Sequence, residues 1–361
     1  MGFRVASVAA AAALALGASA FGLAPTAAPP KTLDIYFIDV EGGQSTLIVT
    51  PAGESLLVDA GFPGKAGTFD ARPGDPREAR DANRIAAVVR QAGLTRIDYL
   101  LVTHFHGDHD GGVAELAELV PIGTFIDHGN VPDEAETTSK GTLELYRAYA
   151  GARAAHPHLQ PKPGDRLPLK DVTAIVVSAA QATALWPLRG AGSRNPRCGD
   201  GPRPPEEPFE NPRSTGFRLE YGRFRFLDVG DLTGAPLYAL ACPRDLAGPV
   251  SVYLVAHHGG ADASDPATLA GFEPRVAIVN NGATKGGAPE IFAALRGVPA
   301  LEDAWQLHTS VRDGARNFAE DRIANLDETT AHDLVLRAYK DGSFAITNSR
   351  TGMTVNYGTR R

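Results

Sequence analysis

His104-Phe105-His106-Gly107-Asp108-His109 gathers three imidazoles and a carboxylate within six residues, directly after the apolar run Tyr99-Leu100-Leu101-Val102. Imidazole and carboxylate together suit zinc and other first-row divalent ions. The apolar run reads as a buried strand that the chain leaves at Thr103 and turns away from through the small Gly107. In an extended segment His104 and His106, two residues apart, point the same way and can share one ion. Asp108 and His109, past the turn, are placed to reach a second ion beside it. A solvated polar loop would have to concentrate here three of the 10 histidines of a 361-residue chain.

The stretch around this cluster alternates strands and helices. Residues 33–40, 44–50 and 54–59 read as three strands joined by Glu41-Gly42-Gly43 and Pro51-Ala52-Gly53, an antiparallel meander that ends in Asp59-Ala60-Gly61. Ile85, Val88, Val89 and Ala92 fall at helical spacing before Gly93, and Val113, Leu116 and Ala117 do so after the cluster. The cluster therefore sits on a strand-to-helix connection. Further strands are expected at 122–127, 172–178, 215–221, 223–229, 250–256, 275–279, 333–339 and 343–348, with helices at 142–154 and near 288–295. Residues 190–211, rich in Pro, Gly and Arg, read as a long surface loop. Four strand ends carry groups able to bind a metal or substrate: Asp59, residues 104–109, Asp231 and His257/His258. Function grafted onto strand ends is usual in layered α/β proteins.

These residues resemble the metallo-β-lactamase superfamily of hydrolases, and within it the hydrolase domain of DNA-uptake competence proteins and its free-standing secreted relatives. The resemblance rests on Asp39-Val40-Glu41-Gly42-Gly43-Gln44, Asp59-Ala60-Gly61, residues 103–112, Asn211-Pro212-Arg213-Ser214, Gly230-Asp231-Leu232 and His257-His258-Gly259. It implies an α/β fold of the αββα type, two mixed β-sheets flanked by helices, with two metals at one edge. Carried over by motif, His104 and His106 bind one ion, Asp108, His109 and His258 the other, and Asp231 bridges both. His257 is then a substrate-facing group, and Asp59 orients the histidine loop by hydrogen bonding, a support that metal sites generally require. Asn211, Ser214 and Asn281 are candidate substrate contacts.

Two departures from the pattern matter. Many superfamily members place another histidine ahead of the strand leading to Gly-Asp, where this chain has Asn211 and Ser214. His128 and His308 are possible substitutes, although an ordinary polar role accounts for each. Lys285-Gly286-Gly287-Ala288-Pro289 also lacks the histidine found before this proline in competence proteins.

Two divalent ions, Zn²⁺ first and Mn²⁺ or Fe²⁺ as alternatives, would hold a shared water and lower its pKa, giving a nucleophile without a Ser or Cys. Asp108 is expected to assist proton transfer and His257 to donate to an anionic intermediate. The expected activity is hydrolysis of a phosphodiester-type substrate. The alternatives are cleavage of a lactone, amide or thioester, or a non-catalytic metal- or glycan-binding module.

Arg4, an Ala/Val/Leu run from Val5 to Leu16, and Ala18-Ser19-Ala20 read as a secretory signal peptide over residues 1–20, implying a secreted or periplasmic protein. A linker follows over 21–31, the hydrolase domain over 32–300, and strands that complete or cap it over 301–361. Export makes a disulfide between Cys198 and Cys242 the expected state of the only two cysteines. Net charge is −7 and no Lys/Arg run precedes Arg360-Arg361, so no stripe for duplex nucleic acid is visible. Whether the substrate is a small molecule or a polymer, and the oligomeric state, are not legible in the sequence.

Overall fold

A computed structural model describes residues 1–3, 31–137, 139–199 and 209–360. All but the first three residues of the signal peptide and all but the last of the linker expected from the sequence lie outside the described residues. The described residues from Lys31 onward form one compact unit.

The meander comprises β1 (Leu33–Phe37), β2 (Thr46–Val49) and β3 (Ser55–Val58), paired antiparallel in that order. Helix α1 (Arg80–Gln91) then crosses to β4 (Ile97–Leu101), parallel to β3, and α2 (Val113–Leu119) leads to β5 (Ile122–Ile126), parallel to β4. After α3 (Thr142–Arg153), the short β6 (His158–Leu159) closes this edge.

The second sheet opens with β7 (Thr173–Ala179) and the two-residue β8 (Ala182–Thr183). It continues through β9 (Gly216–Tyr221) and β10 (Phe224–Asp228), then through α4 (Gly234–Ala239) to β11 (Val252–Leu254). Next come α5 (Pro266–Phe272), β12 (Val276–Val279), α6 (Pro289–Arg296), β13 (Asp303–His308) and β14 (Ile323–Asn325). Strands β10 to β14 run parallel to one another. The chain ends with β15 (Leu334–Ala338), β16 (Phe344–Asn348) and β17 (Thr354–Tyr357).

The strand orders are β17-β16-β15-β1-β2-β3-β4-β5-β6 and β14-β13-β12-β11-β10-β9-β7-β8. The C-terminal strands are thus shared out: β13 and β14 extend the second sheet, and β15 to β17 extend the first beside β1. Helices α4 and α5, β14 and β17 carry too few periodic apolar residues to stand out in the sequence.

Period-2 alternation explains the layering. Leu33, Ile35 and Phe37 of β1 meet Phe217, Leu219, Phe224, Phe226 and Trp305 of the second sheet in one buried cluster between the sheets. The opposite faces are covered by helices. Ile85, Val89, Val113 and Leu116 pack on the first sheet, and Leu237, Leu269, Phe272, Ile291 and Leu295 on the second. This is the αββα sandwich expected from the motifs.

Buried polar pairs stitch the two sheets together beneath the strand ends. His308 at the end of β13 meets Asp39, just after β1, at 2.7 Å (Nε2 to Oδ1), both wholly buried. Gln44 donates from Nε2 to Asp228 at 3.2 Å and accepts from Asn280 Nδ2 at 3.3 Å. The Asp39-to-Gln44 motif is therefore a clasp between sheets, and His308 is engaged by it.

Candidate metal centre

The chain leaves β4 at Val102 and turns through residues 103–112 into α2. Asp59, at the end of the neighbouring β3, shapes that turn: Oδ1 accepts the Thr103 N–H at 2.7 Å and Oδ2 the Thr103 hydroxyl at 2.7 Å. The same Oδ2 lies 2.8 Å from His109 Nδ1. With Nδ1 engaged, His109 turns Nε2 toward Asp231 Oδ2 at 3.1 Å, His258 Nε2 at 3.2 Å and Asp108 Oδ2 at 3.3 Å.

Asp108, His109, Asp231 and His258 are all buried, with one donor atom from each lying within 4.8 Å of the others. His104 and His106 stand alongside, Nε2 to Nδ1 at 3.1 Å, and His104 Nε2 is 3.9 Å from Asp231 Oδ2. Asp231, on the turn after β10, is therefore between the two groups.

The donor set fits divalent ions. Ring nitrogens face each other at 3.1–3.2 Å in the His104/His106 and His109/His258 pairs, and Asp231 Oδ1 and His258 Nδ1 are buried without a hydrogen-bond partner. Burial pushes the His109 ring toward its neutral form, but Asp231, Asp108 and Asp59 outweigh it and raise its pKa well above the ordinary value. The charges that hold a proton there are those that favour a dication. Burial raises the Asp231 carboxyl too, yet His109 and His258 hold it well below the usual carboxylate range. His104 is lowered by burial and by its histidine neighbours.

The adjacent histidines separate cleanly. His258 is buried in the cluster, its Nε2 3.1 Å from Asp108 Oδ2. His257 stands on the cleft wall, its Nδ1 fixed 2.8 Å from Asp262 Oδ2 and its Nε2 3.8 Å from Asp231. Both have left-handed backbones, φ 50° and 53°. That sharp turn sends successive side chains to different places, at a cost in local strain.

A cleft of about 420 Å³ opens over the cluster, lined by Phe69, His106, Asp108, Lys140, Asn211 and His257 among others. Lys285 also lines it. Its ammonium donates to Asp108 Oδ2 and to Gly42 O at 2.9 Å, and lies 5.5 Å from the Phe69 ring centroid.

The remaining sequence candidates are distributed differently. Asn211 lies 3.5 Å (Nδ2 to Nε2) from His257. Ser214 is buried and does not line the cleft. Asn281 is also buried and gives its Nδ2 to His308 O and Gly282 O, each at 2.8 Å. His128 turns its Nε2 to Glu210 at 3.0 Å, away from the cluster. Cys198 and Cys242 are joined by a disulfide.

Glu210, Lys285, Asp262 and Lys140 were not singled out as site residues by the sequence. Glu210 accepts the Phe105 N–H at 3.0 Å from a fully buried position, and so braces the backbone between His104 and His106. It follows the run Pro204-Pro205-Glu206-Glu207-Pro208, whose composition reads as solvated loop.

Residues 38–179 match the family model of the Metallo-beta-lactamase superfamily. The two mixed β-sheets with flanking helices have the fold of this superfamily. Among curated proteins, the atrochrysone carboxyl ACP thioesterase of Passalora fulva is 30% identical over 106 residues, 29% of this chain and 26% of that protein. The match thus spans about a quarter of that relative's length.

Solved structures similar to the chain include the metallo-beta-lactamase fold protein YhfI from Bacillus subtilis (10% identity, 76% of this chain and 96% of that one, TM-score 0.46). CmlA, a diiron β-hydroxylase from Streptomyces venezuelae, matches at 14% identity over 77% of this chain and 53% of its own, TM-score 0.40. Igni18, a metallo hydrolase from Ignicoccus hospitalis, matches at 13% over 75% and 94%, TM-score 0.39.

Proposed function

We propose that the protein hydrolyses a phosphodiester-type substrate with two divalent ions, zinc before manganese or iron. His104 and His106 would hold one, Asp108, His109 and His258 the other, and Asp231 both. When bound, such ions supply an activated water and polarise the substrate oxygen. The observation that carries this reading is the cationic rim on a buried His/Asp cluster: Lys285, Lys140 and His257 line the cleft over Asp108 and Asp231.

The chain's own groups have separable tasks in this reading. Asp59 fixes the His109 tautomer. Lys285 and Lys140 attract an anionic substrate and hold its non-bridging oxygens. Burial lowers the His257 pKa, but Asp231 and Asp262 outweigh it and the net shift is upward. A proton held at His257 Nε2 can pass to the leaving oxygen. Kinship with the competence-type branch, and export to an oxidising compartment, belong to the same reading. Export is supported by the apolar N-terminal run and the Cys198–Cys242 disulfide. Among the described residues no helix is long and apolar enough to cross a membrane.

The thioesterase relative favours a second reading, an acyl thioester as substrate. The deciding experiment compares bis(p-nitrophenyl) phosphate with an acyl thioester on zinc- or manganese-loaded protein, beside an Asp108→Ala control. Turnover of the diester that the control loses supports the first reading. Thioester turnover alone replaces it with the second.

A further inference from the structure

The parallel strands β10, β11 and β12 carry Asp231, His257/His258 and Asn280 beyond their C-terminal ends. Their opposite ends close a different cavity of about 160 Å³, lined by Arg223, Arg225, Ser251, Arg275, Asp341 and Arg360 among others. It lies a strand's length from the metal centre. Four guanidiniums converge here although the chain as a whole is net −7.

Strand periodicity produces the convergence. Phe224 and Phe226 enter the core between the sheets, so Arg223 and Arg225 share the other face. The local carboxylates do not neutralise them. Glu302 is taken by Arg275, at 2.7 and 3.0 Å, and also lies 3.8 Å from Arg360. Glu220, the cross-strand partner of Arg225, is engaged by Arg189 and Arg218. Asp341 stands on the rim: its carboxylate feels the Arg223 charge but is hydrogen-bonded to Ser343 and forms no ion-pair contact with Arg223, whose Nε donates to the Asp341 backbone O at 2.7 Å.

Arg225 Nη1 reaches Pro249 O at 3.3 Å, and its Nε is buried without an acceptor. Neither Arg223 nor Arg225 forms an ion pair among the described residues. Ser251 Oγ accepts the Arg225 N–H at 3.1 Å, which leaves its own O–H to donate. Concave crowding of like charge, with N–H forks unspent, is unfavourable unless an anion enters.

We propose that this pocket binds a tetrahedral oxyanion of the phosphate type, held chiefly by Arg223 and Arg225, independently of the substrate at the metal centre. The test is calorimetric titration of inorganic phosphate into the metal-loaded protein at low ionic strength, beside Arg223→Gln and Arg225→Gln. Phosphate binding at the metals is common to all three proteins and drops out of the comparison. The expected result is an additional event with Kd on the order of 1 mM or tighter, weakened at least tenfold in each variant and weakened by added salt. Arg223 is exposed, so its variant tests the pocket without disturbing the core. Isotherms identical in all three proteins would overturn the proposal. Phenyl phosphate in a parallel titration distinguishes a free ion from an esterified phosphate as the occupant.

Discussion

Asp59 Oδ2 stands 2.8 Å from His109 Nδ1, and this contact decides which nitrogen of His109 faces the cluster. Asp59 itself has φ 61°, a conformation that Asn also tolerates. Asp59→Asn would keep an oxygen for the Thr103 N–H but set an amide N–H against the imidazole. Metal affinity should fall about 10- to 100-fold, measured by competition with a chromophoric chelator. An unchanged affinity would remove the orienting role from Asp59.

Lys285 stands in the segment where the sequence reading found only a missing histidine. Its ammonium is tethered by Gly42 O and Asp108 and packs near Phe62 and Phe69, at 5.9 and 5.5 Å from the ring centroids. Lys285→Met should raise KM for an anionic aryl ester at least tenfold relative to a neutral one, while Lys285→Arg recovers part of the loss. Metal content by elemental analysis should stay the same. An equal loss on both esters would mean that the lysine supports the centre and does not select the substrate.

Much of the candidate site was legible because metal-binding residue types cluster locally: residues 104–109, Asp231 and the His257/His258 pair announce themselves by composition at strand ends. The sheets were legible where alternation or apolar runs were long, as in β1 and β4. The illegible parts depend on distant pairing. Nothing near Glu210 in sequence points to Phe105, 105 positions away, or to His128. Likewise the division of labour between His257 and His258 comes from two left-handed residues in succession, which side-chain chemistry does not encode. The division of the late strands between sheets brings Asp39, His308 and Asp333 together. Asp39 Oδ1 lies 2.7 Å from His308 Nε2, and its N–H donates to Asp333 Oδ1 at 2.8 Å, a contact spanning 294 residues.

Glu210 offers a direct check on that hidden brace. Glu210→Ala strands two buried donors, the Phe105 N–H and His128 Nε2, at a cost of about 1–3 kcal/mol. The midpoint of urea unfolding should fall accordingly. Glu210→Gln, which retains an oxygen for Phe105, should lose less. If both variants unfold at the wild-type midpoint, the contact contributes nothing to holding the loop.

Asp228 should make stability depend on pH. Burial pushes its carboxyl up to about 7 from an ordinary 3.8, against the opposing hydrogen bonds from Gly230 and Gln44. A raised carboxyl pKa means that the folded state holds a proton the unfolded chain releases. This contribution is complete below about pH 4 and is lost as pH rises through about 7. Its size is on the order of 4 kcal/mol. Asp81 and Asp333, each pushed up to about 6 by burial, act in the same direction. In Asp228→Asn the side-chain oxygen still accepts from Gly230 N–H and Gln44 Nε2, with no proton to lose. Urea midpoints should therefore fall less between pH 5 and pH 8 in the variant than in the wild type, with the variant the more stable at pH 8. Parallel slopes would show that Asp228 does not titrate in that interval.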